Sequence, residues 1–309
     1  MSAKGFVTYP IEIPPWIRCH QCSTALPFQP AHISNYFAGT QLQCSECRSS
    51  WNWWSIACLE VENNHLGSQA FAFLGARTSI FKLTLREGNR IVYRFCDYEI
   101  PNDANILYVN YTPSGGGLFP VELHGNVSRP RFFPDEIVVF PVPLNERNAC
   151  VDTEVTVMVS WVPTSINDDS FRSLVVAFEA FSAGVYQSMI VPANVAVESA
   201  LSCLLTGFLT AIVSKKRAED FLDQGATYSH QLNVVLPLIT SLQKLPQLPD
   251  PVRESLNDLR NCRNSLAHSG VLRQELTQKA AARLLCGALF GLHYVRYLEL
   301  KLGQLPKGL

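Results

Sequence analysis

The chain lacks an uninterrupted apolar segment long enough to cross a bilayer. Its longest apolar run, Val195 to Val213, carries Glu198, Ser199, Ser202, Thr206 and Thr210, whereas a span needs about 20 nearly continuous apolar residues. A buried core helix is expected there, and no membrane partner. No secretory leader is expected either, because Met1 to Pro10 is short of apolar residues and Pro14-Pro15 follows. The formal net charge is only -1 over 309 residues, so no global field draws the whole protein onto nucleic acid or membrane. Familiar hydrolase signatures are missing. There is no G-x-S-x-G elbow, His65, His124 and His230 have no nucleophile pattern beside them, and the carboxylates are scattered rather than paired. Gly115-Gly116-Gly117 is not followed by the Lys and helix start of a phosphate loop, which leaves a turn. Internal repeats and low-complexity segments are absent too. These absences argue against a serine hydrolase, a glycosidase, a two-metal enzyme and a P-loop nucleotidase.

The chain does have an apolar fraction of 47%, enough for two or three domains with real cores. Three textures follow one another. Residues 1–58 are rich in Pro, Trp and paired Cys. Residues 59–165 read as a β domain, with strands over 80–85, 90–95, 105–111, 120–124, 136–140 and 154–162. Glu87-Gly88-Asn89 between the first two is a hairpin signal. Short strands at this spacing predict an antiparallel sandwich or barrel. After the polar stretch Pro163 to Ser170 the period becomes helical, and residues 170–309 predict a bundle. Asp169 or Ser170 is the expected N-cap of its first helix, whose apolar face is Phe171, Leu174, Val175, Phe178, Phe181 and Val185. Pro192 is expected to break the chain before a second helix over 193–218. A third helix over 228–242 is expected to kink at Pro237. A fourth covers 251–268, with Pro251 in its first turn and Gly270 as C-terminal cap. A fifth covers 273–302. The fold class is thus α+β and multidomain: a zinc ribbon, an antiparallel β domain and a C-terminal helical bundle.

The ten cysteines do not form a disulfide framework. Cys58, Cys96, Cys150, Cys203, Cys262 and Cys286 stand singly in apolar or mixed segments, a pattern that suits a reducing, cytoplasmic setting. The other four form Cys19-His20-Gln21-Cys22 and Cys44-Ser45-Glu46-Cys47, two C-x-x-C pairs with 21 residues between them. Each pair places two thiolates on a tight knuckle, and two knuckles complete a tetrahedral shell around Zn²⁺. A redox pair would need one C-x-x-C in a βαβ context, which is missing. His20 and His32 are spare ligands at a site that four cysteines already fill, so the metal is structural. Trp51, Trp53 and Trp54 follow the second knuckle and are expected to dock the ribbon onto the next domain.

The remaining sharp feature is Arg263-Asn264-Ser265-Leu266-Ala267-His268, with Gly270 just beyond. From Pro251 to Leu309 there are nine Lys/Arg against four Asp/Glu, a local net of +5. RNA carries its own nucleophile, the 2′-OH. Cleavage needs a base for its proton, a cation for the phosphate oxygens and an acid for the leaving 5′-oxygen. His can serve as acid or base near neutrality, and Arg supplies a planar, always charged fork for phosphate. Asn264 and His268, four apart, share a helix face. Arg263 and His268, five apart, lie about 140° apart around an ideal helix. Either the last turn unwinds near Gly270, or two copies of the motif meet across a two-fold axis.

The motif resembles the Arg-polar-x-x-x-His signature of HEPN-superfamily (Apea-like) domains, and the stretch Leu256 to Gly270 looks like the helix that carries it. The resemblance covers about residues 170–309. It implies a helical bundle that dimerises, cleaves RNA without a metal, and serves in toxin or antiphage defence systems. It places the catalytic roles on Arg263 and His268, with Asn264 assisting. It also implies a polar or acidic residue on an earlier helix facing the site, for which Glu198 is the candidate. The expected partners are an RNA substrate, a second copy of the chain, and a protein or phage trigger sensed through the ribbon and the β domain. The alternative is a non-catalytic dimeric scaffold that binds a protein or nucleic acid.

Overall fold

The computed structural model describes residues 16–19, 21–27, 30–63, 76–114, 117–122, 136–143, 152–164, 168–272 and 275–303. The chain divides into two compact units. One is Gly75–Asn167, and the other joins Pro15–Leu74 to Asp168–Leu309.

Among its described residues the 75–167 unit has six strands: β5 (Arg77–Leu85), β6 (Ile91–Arg94), β7 (Asn105–Pro113), β8 (Leu118–Glu122), β9 (Glu136–Pro143) and β10 (Thr153–Val162). They form two three-stranded antiparallel sheets, ordered β5-β10-β7 and β6-β9-β8. The strands fall where the alternation placed them, but the hairpin does not. β5 pairs with β10 and β6 with β9, so Arg86 to Arg90 carries the chain from one sheet to the other. Gly88 takes φ +73° there, and Asn89 N–H closes the turn on Arg86 O. Phe81, Leu83, Tyr93, Ile106, Val109, Leu118, Ile137, Val139, Val155, Val157 and Val159, drawn from both sheets, form one core. Alternation puts every second residue of β10 into it, as period two requires. The glycine turn expected at 115–117 lies between β7 and β8. Gly115 and Gly116 are outside the described residues, as are His65 and His124.

The other unit begins with two small hairpins, β1 (Trp16–Arg18) with β2 (Ala25–Pro27) and β3 (Leu42–Gln43) with β4 (Ser50–Trp51). Helix α1 (Pro30–Phe37) lies between them in sequence, and α2 (Trp53–Glu62) follows, capped by Asn52, whose side chain accepts from Trp54 N–H at 2.8 Å. After the β strands come α3 (Asp169–Ser182), α4 (Tyr186–Thr210), α5 (Lys215–Asp220), α6 (Tyr228–His230), α7 (Leu236–Leu242), α8 (Asp250–Ser269) and α9 (Gln278–Gly303). The mixed α+β class and the C-terminal helical region agree with the sequence reading.

The helix boundaries show where local chemistry overrides periodicity. The cap of α3 is Asp168, one residue before those expected. Its extended backbone (φ -80°, ψ 172°) lets Oδ1 accept from Phe171 N–H at 2.7 Å, while Oδ2 meets Arg296 of α9 at 3.1 Å. Gly184, at φ +74°, ends the turn after α3. Val185 therefore leaves the predicted apolar face and is half exposed. Pro192 does not break the chain but sits inside α4. The break falls at Gly184 instead, because left-handed geometry stops a helix. The proline removes one hydrogen bond, to a carbonyl in the exposed opening turn at Ser188. α4 stops at Thr210, short of the expected 218. By length and composition alone it is the one helix among the described residues that passes for a membrane span, against the expectation from its interrupted apolar run, but Met189, Ile190, Ala193, Ala196, Val197 and Leu201 are buried within the bundle, as in a core helix. Between α6 and α7, Gln231–Val235 form a π turn, in which Leu236 N–H reaches Gln231 O. The irregularity lies just before Pro237, which has no N–H to give. α9 starts at Gln278 rather than 273, where Thr277 Oγ1 accepts from Ala280 N–H at 3.2 Å. It is buried from Ala281 to Val295, save Arg283, and packs against α2, α3, α4 and α8.

Candidate functional site

The two cysteine pairs adopt the same knuckle. In the first, Cys19 N–H donates to Thr24 O at 2.9 Å and Ser23 N–H to Cys19 O at 2.8 Å. In the second, Cys44 N–H donates to Ser49 O at 2.9 Å and Arg48 N–H to Cys44 O at 3.0 Å. Ser23 and Arg48 both take φ +59°, the left-handed turn that folds each hairpin back. The four Sγ atoms lie within 4.8 Å of one another, with Cys19–Cys47 at 3.5 Å and Cys22–Cys44 at 3.7 Å. Zn–S bonds of about 2.3 Å in a tetrahedron require S···S of roughly 3.8 Å, so these residues fit a tetrahedral thiolate-bound ion. Cys19 and Cys44 are buried, Cys22 and Cys47 exposed. Burial raises the Cys19 thiol, but hydrogen bonds from the Cys22 backbone and Ser49 outweigh it and bring it down to about 6. His20 lies outside the described residues. His32 stacks on Trp53 at 5.5 Å between ring centroids.

The helices that follow the cysteine knuckles in sequence, α1 and α2, dock on α9. Trp53 and Trp54 are buried. Trp54 meets Phe290 of α9 edge-on at 5.6 Å, and α1 adds Tyr36 on Phe290 at 5.4 Å and Phe37 on Tyr294 at 5.1 Å. Lower on the same helix pair, Gln278 donates to Glu62 O. Burial and a hydrogen bond with Cys58 of α2 push the Cys286 thiol of α9 well above its usual range. Docking by tryptophan was expected, but onto the domain next in sequence. The side chain of Trp51 lies outside the described residues.

The Arg-Asn-x-x-x-His motif occupies the last two turns of α8, which runs unbroken through Ser269. Gly270 caps it in the left-handed conformation (φ +71°), its N–H on Leu266 O at 2.9 Å. The exit is fastened by Ser265 Oγ and Ser269 Oγ, both donating to Val271 O, at 3.1 and 2.9 Å. The helix therefore does not unwind before the cap, and within one chain Arg263 and His268 stay on different faces. Arg263 Nη1 donates to Asn264 Oδ1 at 3.1 Å. Arg263 and Asn264 are partly exposed and His268 is exposed. One turn earlier the same contact recurs: Arg260 Nη2 donates to Asn261 Oδ1 at 3.2 Å.

Glu198 of α4 is held by Asn194, whose Nδ2 donates to Oε2 at 2.8 Å. Close by is Tyr228, whose phenol is pushed up by burial and then by the Glu198 charge, while Arg260 of α8 pulls the other way. Glu198 of α4 and Arg260 of α8 thus both act on the Tyr228 phenol. Asn194 Oδ1, Tyr228 OH and Arg260 Nε are buried without hydrogen-bond partners. The sequence reading overlooked these three. Asn194 and Glu198, four apart in an apolar helix, and the tandem Arg-Asn pairs at 260–261 and 263–264 were the available signals. His230 is exposed and pairs with Thr227 Oγ1 at 3.0 Å.

Comparison with protein-family models, curated proteins and solved structures gives no match to this chain.

Proposed function

We propose that this chain is a metal-independent endoribonuclease of HEPN type, cytoplasmic and dimeric, acting in antiphage defence or toxin-type RNA cleavage under control of its zinc-ribbon and β regions. The observation that carries the reading is the arrangement on the last turns of α8. The Arg263 guanidinium is oriented by Asn264, and His268 stands exposed one turn on, sharing the Asn264 face. In the reaction the 2′-oxygen of the substrate attacks phosphorus while the bond to the 5′-oxygen breaks. The products are a 2′,3′-cyclic phosphate and a 5′-hydroxyl. Arg263 holds the non-bridging oxygens as negative charge builds. His268 accepts the 2′ proton or donates one to the 5′-oxygen. Because α8 is unbroken, one chain does not aim both groups at one phosphate; a two-fold pair brings one copy's His268 to the other's Arg263. The Cys19, Cys22, Cys44, Cys47 set fills a tetrahedral shell and leaves no open position for substrate, so Zn²⁺ there is structural.

The test is cleavage of total RNA and tRNA by zinc-loaded protein assayed in EDTA, comparing wild type with Arg263→Ala and His268→Ala. Wild type should release 2′,3′-cyclic phosphate ends and neither variant should cleave. Variants as active as wild type would remove these residues from the site.

A second reading, a non-catalytic dimeric adaptor, is favoured by one observation. Val234, Leu238 and Leu242, spaced by four along the π turn and α7, are 56–67% exposed, a ridge suited to a partner. Under that reading, function in cells survives Arg263→Ala and His268→Ala and fails when the ridge is made polar.

A further inference from the structure

Arg260 and Arg263 repeat one local device. Each guanidinium donates to the side-chain oxygen of the asparagine that follows it, at 3.2 and 3.1 Å. Residues three apart on a helix are surface neighbours, with Cβ atoms about 5–6 Å apart. That is comparable to the separation of consecutive phosphates along a nucleic-acid strand. The two forks therefore form a short row along α8 rather than a cluster.

Arg260 differs from an ordinary surface arginine. Its Nε is buried and has no hydrogen-bond partner, while its outer Nη2 reaches the exposed Asn261. The Arg260 charge is felt by the buried phenol of Tyr228, and the Glu198 carboxylate that also acts there is held by Asn194. Burial of the Nε end restricts the side chain, and the outer edge of the fork is set by a contact that a phosphate oxygen can replace or join. Such pre-organisation lowers the ordering cost of binding.

We propose that Arg260 is a second phosphate-binding residue, taking the phosphate next to the one held by Arg263, so that the site recognises a strand with at least two consecutive phosphates. The proposal rests on the endoribonuclease reading for its chemistry but reads out in binding. Arg260 contacts the neighbouring nucleotide and does not take part in bond breaking.

The experiment uses full-length, zinc-loaded protein with His268→Ala as the background for binding. Fluorescence anisotropy is followed against salt with a fluorescent single-stranded oligoribonucleotide. Removing one phosphate contact from a single strand should make the slope of log K against log salt shallower by about 0.7. Arg260→Ala should show this change, and Arg260→Lys should keep most of the original slope. With active protein, Arg260→Ala should raise KM about tenfold and leave kcat within about threefold for a substrate bearing a second phosphate. A dinucleoside monophosphate, which has only one, should be cleaved equally by wild type and Arg260→Ala. A purely structural role would lower both substrates alike and would not be rescued by lysine. An unchanged salt slope and KM, or equal loss on both substrates, overturns the proposal. RNA binding with the predicted slope change but no cleavage by wild type would sink the nuclease reading and leave the phosphate row standing. No binding by wild type would sink both.

Discussion

Gly287→Ala is the most direct probe of how α8 is held. Gly287 lies on the buried α9, and a Cβ added there would sit 2.4 Å from Ser255 Oγ and 2.8 Å from Ser255 Cβ. Ser255 belongs to α8, is fully buried, and donates its hydroxyl to Arg283 O at 2.8 Å. Rotating the serine away would lose that bond, at about 1–3 kcal/mol for a buried group left unpaired. Rotation would also leave the Cβ contact in place, so the two helices must separate. Overpacking of this kind costs about 1–3 kcal/mol. Alanine recovers about 1 kcal/mol of helix propensity over glycine. The net is destabilisation of about 2–3 kcal/mol, a fall in Tm of roughly 5–10 °C for a unit of this size. Thermal unfolding by circular dichroism reads it. Under the proposed nuclease reading, RNA cleavage should also fall, by about a hundredfold for a displacement near 1 Å, since shifting α8 moves Arg263, Asn264 and His268 together. The double change Ser255→Gly with Gly287→Ala removes both short contacts and should recover most of the loss. A single variant as stable as wild type would show that the α8–α9 approach is slack and the reasoning wrong.

Three further outcomes follow from the geometry. The purified chain should carry one zinc ion by elemental analysis; Cys22→Ser should lose it, and chelation should lower the Tm of the helical unit because α1 and α2 pack on α9, a link that an unchanged Tm would refute. Trp54→Ala should cost about 3–5 kcal/mol by emptying the edge-on contact with Phe290, measured as a drop in denaturant midpoint. Burial, reinforced by Arg296, holds His293 at about 3 against an ordinary 6.5, so the unfolded chain takes up the proton first. Stability from this group is whole above pH 6.5 and is lost as pH falls from 6.5 toward 3, by about 2 kcal/mol at pH 5; His293→Leu should flatten the Tm profile between pH 7.5 and 5.

Elements with a strong period were legible in the sequence. The β5 to β10 strands alternate, α8 begins at Asp250 with Pro251 in its first turn, and Gly270 caps it. The cysteine spacing led directly to the cluster of four. What was hidden depends on contacts between residues far apart in sequence. Glu87-Gly88-Asn89 has the composition of a hairpin, yet β10 and β9 win the competition for β5 and β6. Pro192 reads as a breaker because local rules cannot weigh the burial of α4 around it. Trp54 announced that it would dock, but only the fold could name Phe290. At the candidate site, Arg263, Asn264 and His268 stood out by spacing. Tyr228 and Asn194 did not, because their meaning comes from their nearness to Glu198 and Arg260 across three helices.

The docking of α1 and α2 on α9 sets a schedule for synthesis. The cysteine knuckles leave the ribosome well before α9, and their four thiols can take up a metal ion in that interval. Tyr36, Phe37, Trp53 and Trp54 find their partners only when Phe290 and Tyr294 emerge. At about 5–20 residues per second, that is a wait of roughly 10–50 s, during which the whole β unit is made and can fold. A nascent chain with these aromatic side chains uncovered for so long is a natural client for chaperones. The same delay applies to α8, which reaches its packed state only once α9 has been made.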